Sequence, residues 1–184
     1  MIMKRWQRAG LAGAMIVAGV AIRELPYVNW HRAVPPVDAQ PLTIRQDAKG
    51  DGRFLAPRSG HRRHRGLDLV ADLNSPVHAI RSGRVVTTGY HHGFGRFVEI
   101  AHQSNLHSFY AHLASIEVRP GTRVRQGEAI GTVGKTGNAR SRLVRPHLHL
   151  EVVKGGDPVD PRSLGLQVVE PQPASEVAHA AGGE

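Results

Sequence analysis

The sequence predicts an all-β fold class with a single, mostly antiparallel domain. Short apolar runs with two-residue alternation recur along the chain and end in turn residues, which is typical of strands joined by tight turns. The chain contains 21 Gly and 12 Pro, and many of them lie between these runs. No convincing helical stripe occurs between positions 50 and 165. The clearest predicted strands are residues 83–90, 95–102, 106–113, 128–134 and 147–153.

Length and composition predict the domain organisation. A chain of 184 residues supports one ordinary domain with its own core. We expect this domain to cover residues 50–166. Residues 31–49 include "AVPPVDAQP", whose prolines disfavour helix and predict an extended linker. Residues 167–184 are rich in Pro, Ala and Gly without a period, which predicts a loose tail.

The first 30 residues predict an N-terminal hydrophobic helix that directs export. Three basic residues precede an uncharged run from Ala9 to Ile22, and Arg23 ends it. This run fits the apolar region of a signal peptide and is short for a membrane-spanning helix of ~20 residues. Aromatic residues at both ends (Trp6, Tyr27 and Trp30) favour a spanning anchor. Two hypotheses remain: an anchor in the cytoplasmic membrane, with the domain facing the periplasm or cell wall, or a cleaved signal that leaves a periplasmic protein.

Charge and cysteine content narrow the function classes. A formal net charge of +9 predicts an anionic partner such as nucleic acid, anionic lipid or an acidic wall polymer, or else a solvated Arg-rich surface. The chain has no Cys. Disulfide frameworks, Cys-based zinc fingers and thiol nucleophiles are therefore excluded.

Histidines mark the candidate site. Ten of the 12 His residues fall between His61 and His149. Side chains two apart on a strand point the same way, so His147 and His149 project together while Leu148 and Leu150 face the core. This pattern is typical either of an exposed polar face or of a metal site.

A second motif, "HRGLD", supports the metal hypothesis. His64 and Asp68 would lie ~13 Å apart on a straight strand, but Gly66 between them permits a bend that brings them together. Two His and one Asp without a thiolate are typical ligands of a catalytic zinc ion, where water takes the fourth position. One Zn²⁺ is therefore the expected cofactor.

The motif "YAHL" supplies a further histidine. Alternation places Tyr110 and His112 on one face of the strand. If this strand neighbours residues 147–153, His112 and His147 flank the metal without binding it, as general base or acid and as stabilisers of a developing oxyanion. We also expect His102 and Tyr110 to line the substrate groove.

Together these motifs resemble the LytM and lysostaphin type of zinc metalloendopeptidase. The segments "HRGLD", "YAHL", "VRPGTRVRQGEAIGTVGKTG", "PHLHLE" and "DPVDP" occur in the family's order over roughly Arg53 to Leu164. The resemblance implies an all-β peptidase that cleaves peptide cross-links of bacterial peptidoglycan, with peptidoglycan rather than nucleic acid as its partner. It also implies zinc ligands (His64, Asp68 and His149) and a catalytic pair (His112 and His147).

The loop before the last motif departs from the family. Its sequence is "NARSRLVRPHLH", where the family has small residues. Arg140, Arg142 and Arg145 are expected either to line the groove and meet an acidic peptide or to point into solvent.

Three other functions compete with a peptidase. The first is a catalytically silent module of the same fold that recruits or activates other wall hydrolases through a regulatory partner. The second is a histidine-rich metal-storage protein, which the strand-spaced motifs disfavour. The third is a lipoyl or biotinyl carrier domain, for which Lys135 lacks the expected Met-Lys setting.

Overall fold

The computed structural model describes residues 32–171, which form short strands joined by turns. Two single-turn 3-10 helices, Gly137–Arg140 and Pro161–Leu164, are the helical elements in this range. The strands are β1 Leu42–Thr43, β2 Gln46–Asp47, β3 Gly50–Asp51, β4 Gly66–Val70, β5 Pro76–His78, β6 Gly83–His91, β7 Gly95–His102, β8 Leu106–Ile116, β9 Arg123–Val124, β10 Ala129–Val133, β11 His147–Lys154, β12 Asp157–Val159 and β13 Val168–Val169.

One antiparallel sheet organises the domain. Its main path runs β12-β11-β8-β7-β6-β9, with β10 paired to β8 and β5. Strand β4 pairs with the first part of β11, and β12 pairs with the last part of the same edge. Strand β11 is therefore flanked by β4 on one side and β8 on the other. The prediction of an all-β, mostly antiparallel domain is confirmed.

The core lies on one face of these central strands. Leu67 and Leu69 of β4 and Leu148 and Leu150 of β11 are fully buried. They alternate with polar side chains that point to the opposite face, as the two-residue period of a strand requires. Burial of one face fixes the register of these strands, because a slip of one residue would exchange the two sets.

The segment before residue 50 differs from the predicted linker. Val37, Leu42 and Ile44 are each only 1% exposed, and β1 forms a parallel pair with β13. The segment contains no helix, as expected from its prolines, but its apolar residues pack on the core. Residues 32–49 are therefore part of the folded unit and do not form the predicted extended linker. The folded unit also reaches Val169, beyond the predicted domain end at residue 166.

Two predictions fall outside the described range. The N-terminal hydrophobic helix predicted for residues 1–30 lies outside the described residues, and most of the predicted tail lies after residue 171. Within residues 32–171, no helix has the length and apolar character needed to cross a membrane.

Candidate metal centre

Strand β11 carries one row of polar side chains above the core. His147, His149 and Glu151 share one face, each less than a tenth exposed, while Leu148 and Leu150 are fully buried on the other. The regular period of two places these three groups in line without any bend of the chain. This face is the floor of the site.

Strand β4 brings the "HRGLD" residues to the same floor. Asp68 lies directly opposite His149 in the β4–β11 ladder. A Cβ on Gly66 would overlap the carbonyl oxygen of Leu150, so glycine permits this close approach of the two strands. Just before β4, the amide of His64 donates to the carbonyl of Ala56 at 2.9 Å. At this point the His64 ring lies against Asp68.

Three donor atoms converge at this point. His64 Nε2 lies 3.0 Å from His149 Nδ1 and 3.1 Å from Asp68 Oδ1, and His149 Nδ1 lies 2.7 Å from Asp68 Oδ1. Ligands at zinc–ligand distances of 2.0–2.1 Å stand roughly 3.3 Å apart in a tetrahedral site. The three atoms are thus close to the separation that a shared zinc ion requires, and they are the three residues expected from the sequence.

The remaining ring nitrogens are held by acceptors. His64 Nδ1 lies 2.8 Å from the carbonyl oxygen of Arg53, and His149 Nε2 lies 3.0 Å from Glu151 Oε1. A carbonyl or carboxylate oxygen only accepts, so each of these nitrogens carries its hydrogen. Once neutral, the two rings would present lone pairs at His64 Nε2 and His149 Nδ1, the state that metal binding requires. Such outer partners orient ligands and raise their basicity at known metal sites.

Asp68 is oriented by a buried arginine. Arg45 is 5% exposed and donates to Asp68 Oδ2 from Nη2 at 2.9 Å and from Nε at 3.3 Å. These bonds leave Oδ1 to face the histidines. The same guanidinium pairs with Asp47 at 2.6 Å, and Asp47 accepts from the amide of Arg145 at 3.0 Å. The Arg45–Asp47 pair thereby ties the β1–β3 segment to the loop that leads into β11.

The third histidine motif reaches the site through a bulge. Between the pairs Arg96–Leu113 and Val98–Tyr110, β7 advances two residues and β8 three. His112 takes a positive φ of 64°, which a histidine adopts more readily than most residues, and its ring contacts His147 with centroids 5.0 Å apart.

This bulge corrects the prediction for Tyr110. The extra residue breaks the alternation that would have placed Tyr110 beside His112. Tyr110 is fully buried in the core, and its hydroxyl accepts from the amide of Ile80. Burial raises the pKa of this hydroxyl to about 12. Tyr110 is therefore a core residue and does not line the groove.

His112 and His147 are neutral imidazoles near pH 7. Burial lowers the pKa of both rings, and the neighbouring His147 helps to bring the pKa of His112 to about 3. His112 Nδ1 donates to the carbonyl of Thr136 at 3.0 Å and His147 Nδ1 donates to that of Arg145 at 2.7 Å. Each ring therefore keeps a lone pair on Nε2. Both rings line the cleft above the converging donors.

In the metal-free protein, hydrogen bonds among the converging donors shift the pKa values of Asp68 and His149. Burial alone would raise the pKa of Asp68, but hydrogen bonds from His149 and His64 hold that pKa well below its usual range. Burial alone would lower the pKa of His149, but hydrogen bonds to Asp68 and Glu151 raise that pKa to about 9. His149 is thus protonated at neutral pH when no metal is bound.

Zinc affinity is expected to rise by about tenfold per pH unit below pH 9, because binding must displace the His149 proton. Calorimetry at pH 7 in two buffers of different ionisation enthalpy will measure this release. Glu151→Gln removes a carboxylate that raises the His149 pKa. The zinc affinity of this variant should therefore stop rising with pH at a lower pH than in the parent chain. Binding at pH 7 without proton release would contradict this prediction.

An open cleft of about 790 Å³ lies over the donors. One wall comes from the β2–β3 turn and the β3–β4 loop, and the other from the β6–β7 turn and the adjoining residues 138–144. Of the residues expected in the groove, His112 and His147 line it. His102 instead bonds to Ser82 and Ser108 outside the cleft. Three other predicted residues are exposed and contribute nothing to the lining: Arg140, Arg142 and Arg145.

The cleft also contains side chains that the sequence motifs did not indicate. Phe94 stacks on His149 with ring centroids 5.8 Å apart, and His91 and His92 continue the same wall. On the opposite wall the basic residues are Lys49, Arg58, Arg62, Arg63 and Arg65.

The family follows from this chain's match to known proteins. The model of Peptidase family M23 matches residues 62–161, a range that includes all five histidine and aspartate residues of the site. The chain belongs to this family. The resemblance to the LytM and lysostaphin type is thereby confirmed.

Individual relatives agree with this assignment. The DD-carboxypeptidase/endopeptidase Mpg of Neisseria meningitidis is 39% identical over 120 residues, covering 65% of this chain and 27% of that protein. The Peptidoglycan DD-endopeptidase ShyC of Vibrio cholerae is 37% identical over 128 residues, covering 68% and 29%. The chain thus spans less than a third of the length of these curated relatives.

Solved structures share the fold. A zinc-containing peptidase from Vibrio cholerae superposes with a TM-score of 0.56 at 33% identity, covering 71% of this chain and 40% of that one. The catalytic domain of lysostaphin from Staphylococcus simulans gives a TM-score of 0.54 at 28% identity, covering 63% and 90%.

Proposed function

We propose that this chain is a zinc-dependent endopeptidase that cleaves peptide cross-links of bacterial peptidoglycan. The observation that carries the proposal is the placement of three converging donors (His64, Asp68 and His149) beside two neutral imidazoles in one open cleft. Family membership and a relative named as a peptidoglycan DD-endopeptidase support the same substrate class.

Zinc fits the donor set because two nitrogens and one oxygen, without thiolate, leave a position free for a further ligand. When bound, zinc supplies Lewis-acid polarisation of a carbonyl oxygen and acidifies a water molecule. His64, Asp68 and His149 would hold the ion, and Arg45, Glu151 and the Arg53 carbonyl would keep their donor atoms aimed at it.

His147 is the better placed of the two imidazoles to accept a proton. Its Nε2 lies 3.9 Å from Asp68 Oδ1, and that carboxylate stabilises the imidazolium formed when Nε2 takes a proton from the attacking water. The resulting N–H then returns the proton to the leaving amine. His112, whose ring contacts that of His147, would interact with the developing oxyanion.

Digestion of purified cross-linked peptidoglycan tests the proposal. The full chain with one equivalent of zinc should release new peptide termini, identified by mass spectrometry, and a chelator should abolish the release. A His147→Ala variant is the matched control, since it keeps the three donors. If no termini form and the chain instead stimulates a separate amidase equally well with and without His147, it is a regulatory module and the proposal is wrong.

We further propose that residues 1–30 direct export and hold the domain on the outer face of the cytoplasmic membrane. The support is the uncharged run from Ala9 to Ile22 after a basic start. The full chain should sediment with membranes and keep its initial residues. A mature N-terminus mapping just after Ala21 would instead establish a cleaved signal and a periplasmic protein.

A further inference from the structure

The two walls of the cleft differ in charge. Five cationic side chains, here called the basic wall, line one side: Lys49, Arg58, Arg62, Arg63 and Arg65. The β6–β7 turn contributes His91, His92, Gly93 and Phe94 to the lining, and the adjoining residues 138–144 contribute no charged side chain to it. A peptide lying between the walls therefore meets positive charge on one flank and mainly ring surfaces on the other.

The carboxylates of the cleft do not neutralise this wall. Asp68 is already bound by Arg45 and two histidines, and Glu151 is bound by His149 at 3.0 Å. Arg65 reaches Glu151 only at 3.8 Å. The remaining cations of the wall thus keep most of their positive potential toward the cleft.

Arg62 and Arg63 are the members best suited to bind an anion. Both are exposed, and neither has a carboxylate partner within 4.0 Å in residues 32–171. The Ser59 carbonyl accepts from Arg62 Nε at 3.2 Å, and the Leu55 carbonyl accepts from Arg63 Nη1 at 3.4 Å. These bonds use part of each guanidinium and leave other N–H groups free. The planar fork of a guanidinium matches a carboxylate with two parallel bonds.

The wall begins next to the proposed metal ligands. Arg58 Nη2 lies 3.7 Å from Asp68 Oδ2. From there the loop continues through Arg62 and Arg63 to His64, which is itself one of the converging donors. A carboxylate bound by the wall would therefore belong to a residue near the scissile bond.

We propose that the basic wall selects peptides that carry free carboxylates beside the scissile bond over the same peptides with those groups amidated. This inference rests on the proposed endopeptidase function and adds its substrate specificity. A neutral carboxamide keeps the shape of the carboxylate but loses the charge-assisted pair with the guanidinium. The preference would then come from Arg62 and Arg63.

Two cross-linked peptides that differ only in carboxylate or carboxamide at these positions will test the proposal. The zinc-loaded full chain should cleave the carboxylate form with a kcat/KM about tenfold higher, from one charge-assisted interaction. The double variant Arg62→Gln, Arg63→Gln should lose this ratio. A matched double variant, Arg140→Gln with Arg142→Gln, removes the same charge outside the cleft and should keep it.

Binding provides a readout that does not need turnover. Fluorescence anisotropy of the labelled peptides on the metal-free chain should show the same carboxylate preference and the same loss in the Arg62/Arg63 variant. If neither peptide is cleaved yet the preference in binding remains, the endopeptidase proposal fails and the specificity stands. Equal binding and cleavage of the two peptides, or an equal loss in the Arg140/Arg142 variant, would overturn the inference. A variant effect on polyphosphate binding alone would assign the wall to a phosphate polymer and also overturn it.

Discussion

Replacing His149 by alanine is expected to lower zinc affinity by more than about 100-fold. Loss of a residue that only orients a metal ligand costs up to about 100-fold in affinity, and loss of a ligand itself should cost more. Replacing His147, two residues earlier on the same face of β11, should leave zinc bound. The difference follows from the geometry: His149 Nδ1 is within 3.0 Å of both other donors, whereas His147 Nε2 is 3.9 Å from Asp68 Oδ1. His147→Ala should instead lose ~10²–10⁴-fold in kcat, as expected for a general base.

Metal analysis of the purified variants, together with peptide release, separates these roles. The full set comprises loss of zinc in His64→Ala, Asp68→Ala and His149→Ala, and retention of zinc with loss of activity in His112→Ala and His147→Ala. The control is His107→Ala, outside the cleft, which should keep both zinc and activity. Normal zinc content in all of the first three variants would refute the ligand assignment.

Residues on straight strands could be predicted from the sequence. His147 and His149 obey the two-residue period because β11 is flanked on both edges and buried on one face, which leaves the strand no freedom to slip. Glu151 lies two residues further along the same face, so the two-residue period could have predicted its place in the site as well. The His64–Asp68 approach was also predictable, since Gly66 allows both a bend and a close contact with β11.

Residues at irregular or distant positions could not be predicted in this way. Alternation misplaced Tyr110 because a bulge adds one residue to β8 just before His112, and a bulge leaves no clear mark in a single sequence. Arg45 lies 23 residues before Asp68 in a Pro-rich segment that resembles a linker. The sequence left open whether Arg140, Arg142 and Arg145 line the groove or point into solvent, because exposure of a loop residue depends on where the loop packs; the structure exposes all three outside the cleft.

Arg45 is the residue outside the sequence motifs whose loss should cost the most stability. It is buried and pairs with two carboxylates, Asp47 at 2.6 Å and Asp68 at 2.9 Å. Arg45→Met keeps much of the side-chain volume but leaves Asp68 and Asp47 without the guanidinium that they share. Breaking a buried ion pair by removing one partner costs ~3–5 kcal/mol. We expect a loss of that size in the free energy of unfolding of the metal-free chain, measured by denaturant titration.

Arg58 provides the matched control for this effect. Its Nη2 lies 3.7 Å from the same Asp68 oxygen, but its side chain is 27% exposed. Arg58→Met should therefore cost less than about 1 kcal/mol, as for other solvent-screened pairs. Equal losses of unfolding free energy in Arg45→Met and Arg58→Met would show that burial of the Arg45 ion pair does not increase the cost of breaking it.

A double-mutant cycle identifies the cause of the Arg45 loss. If the cost is an unpaired charge, Arg45→Met should be much less harmful when Asp68 is already Asn, because the amide carries no charge to leave unpaired. If the cost is lost packing, the two substitutions should add. Arg45→Lys separates charge from geometry: a single ammonium restores the charge but cannot place two donors on Asp68 Oδ2 and also pair with Asp47. We expect this variant to recover part of the stability while zinc affinity stays below that of the parent chain, since Oδ1 is then less firmly aimed at the histidines.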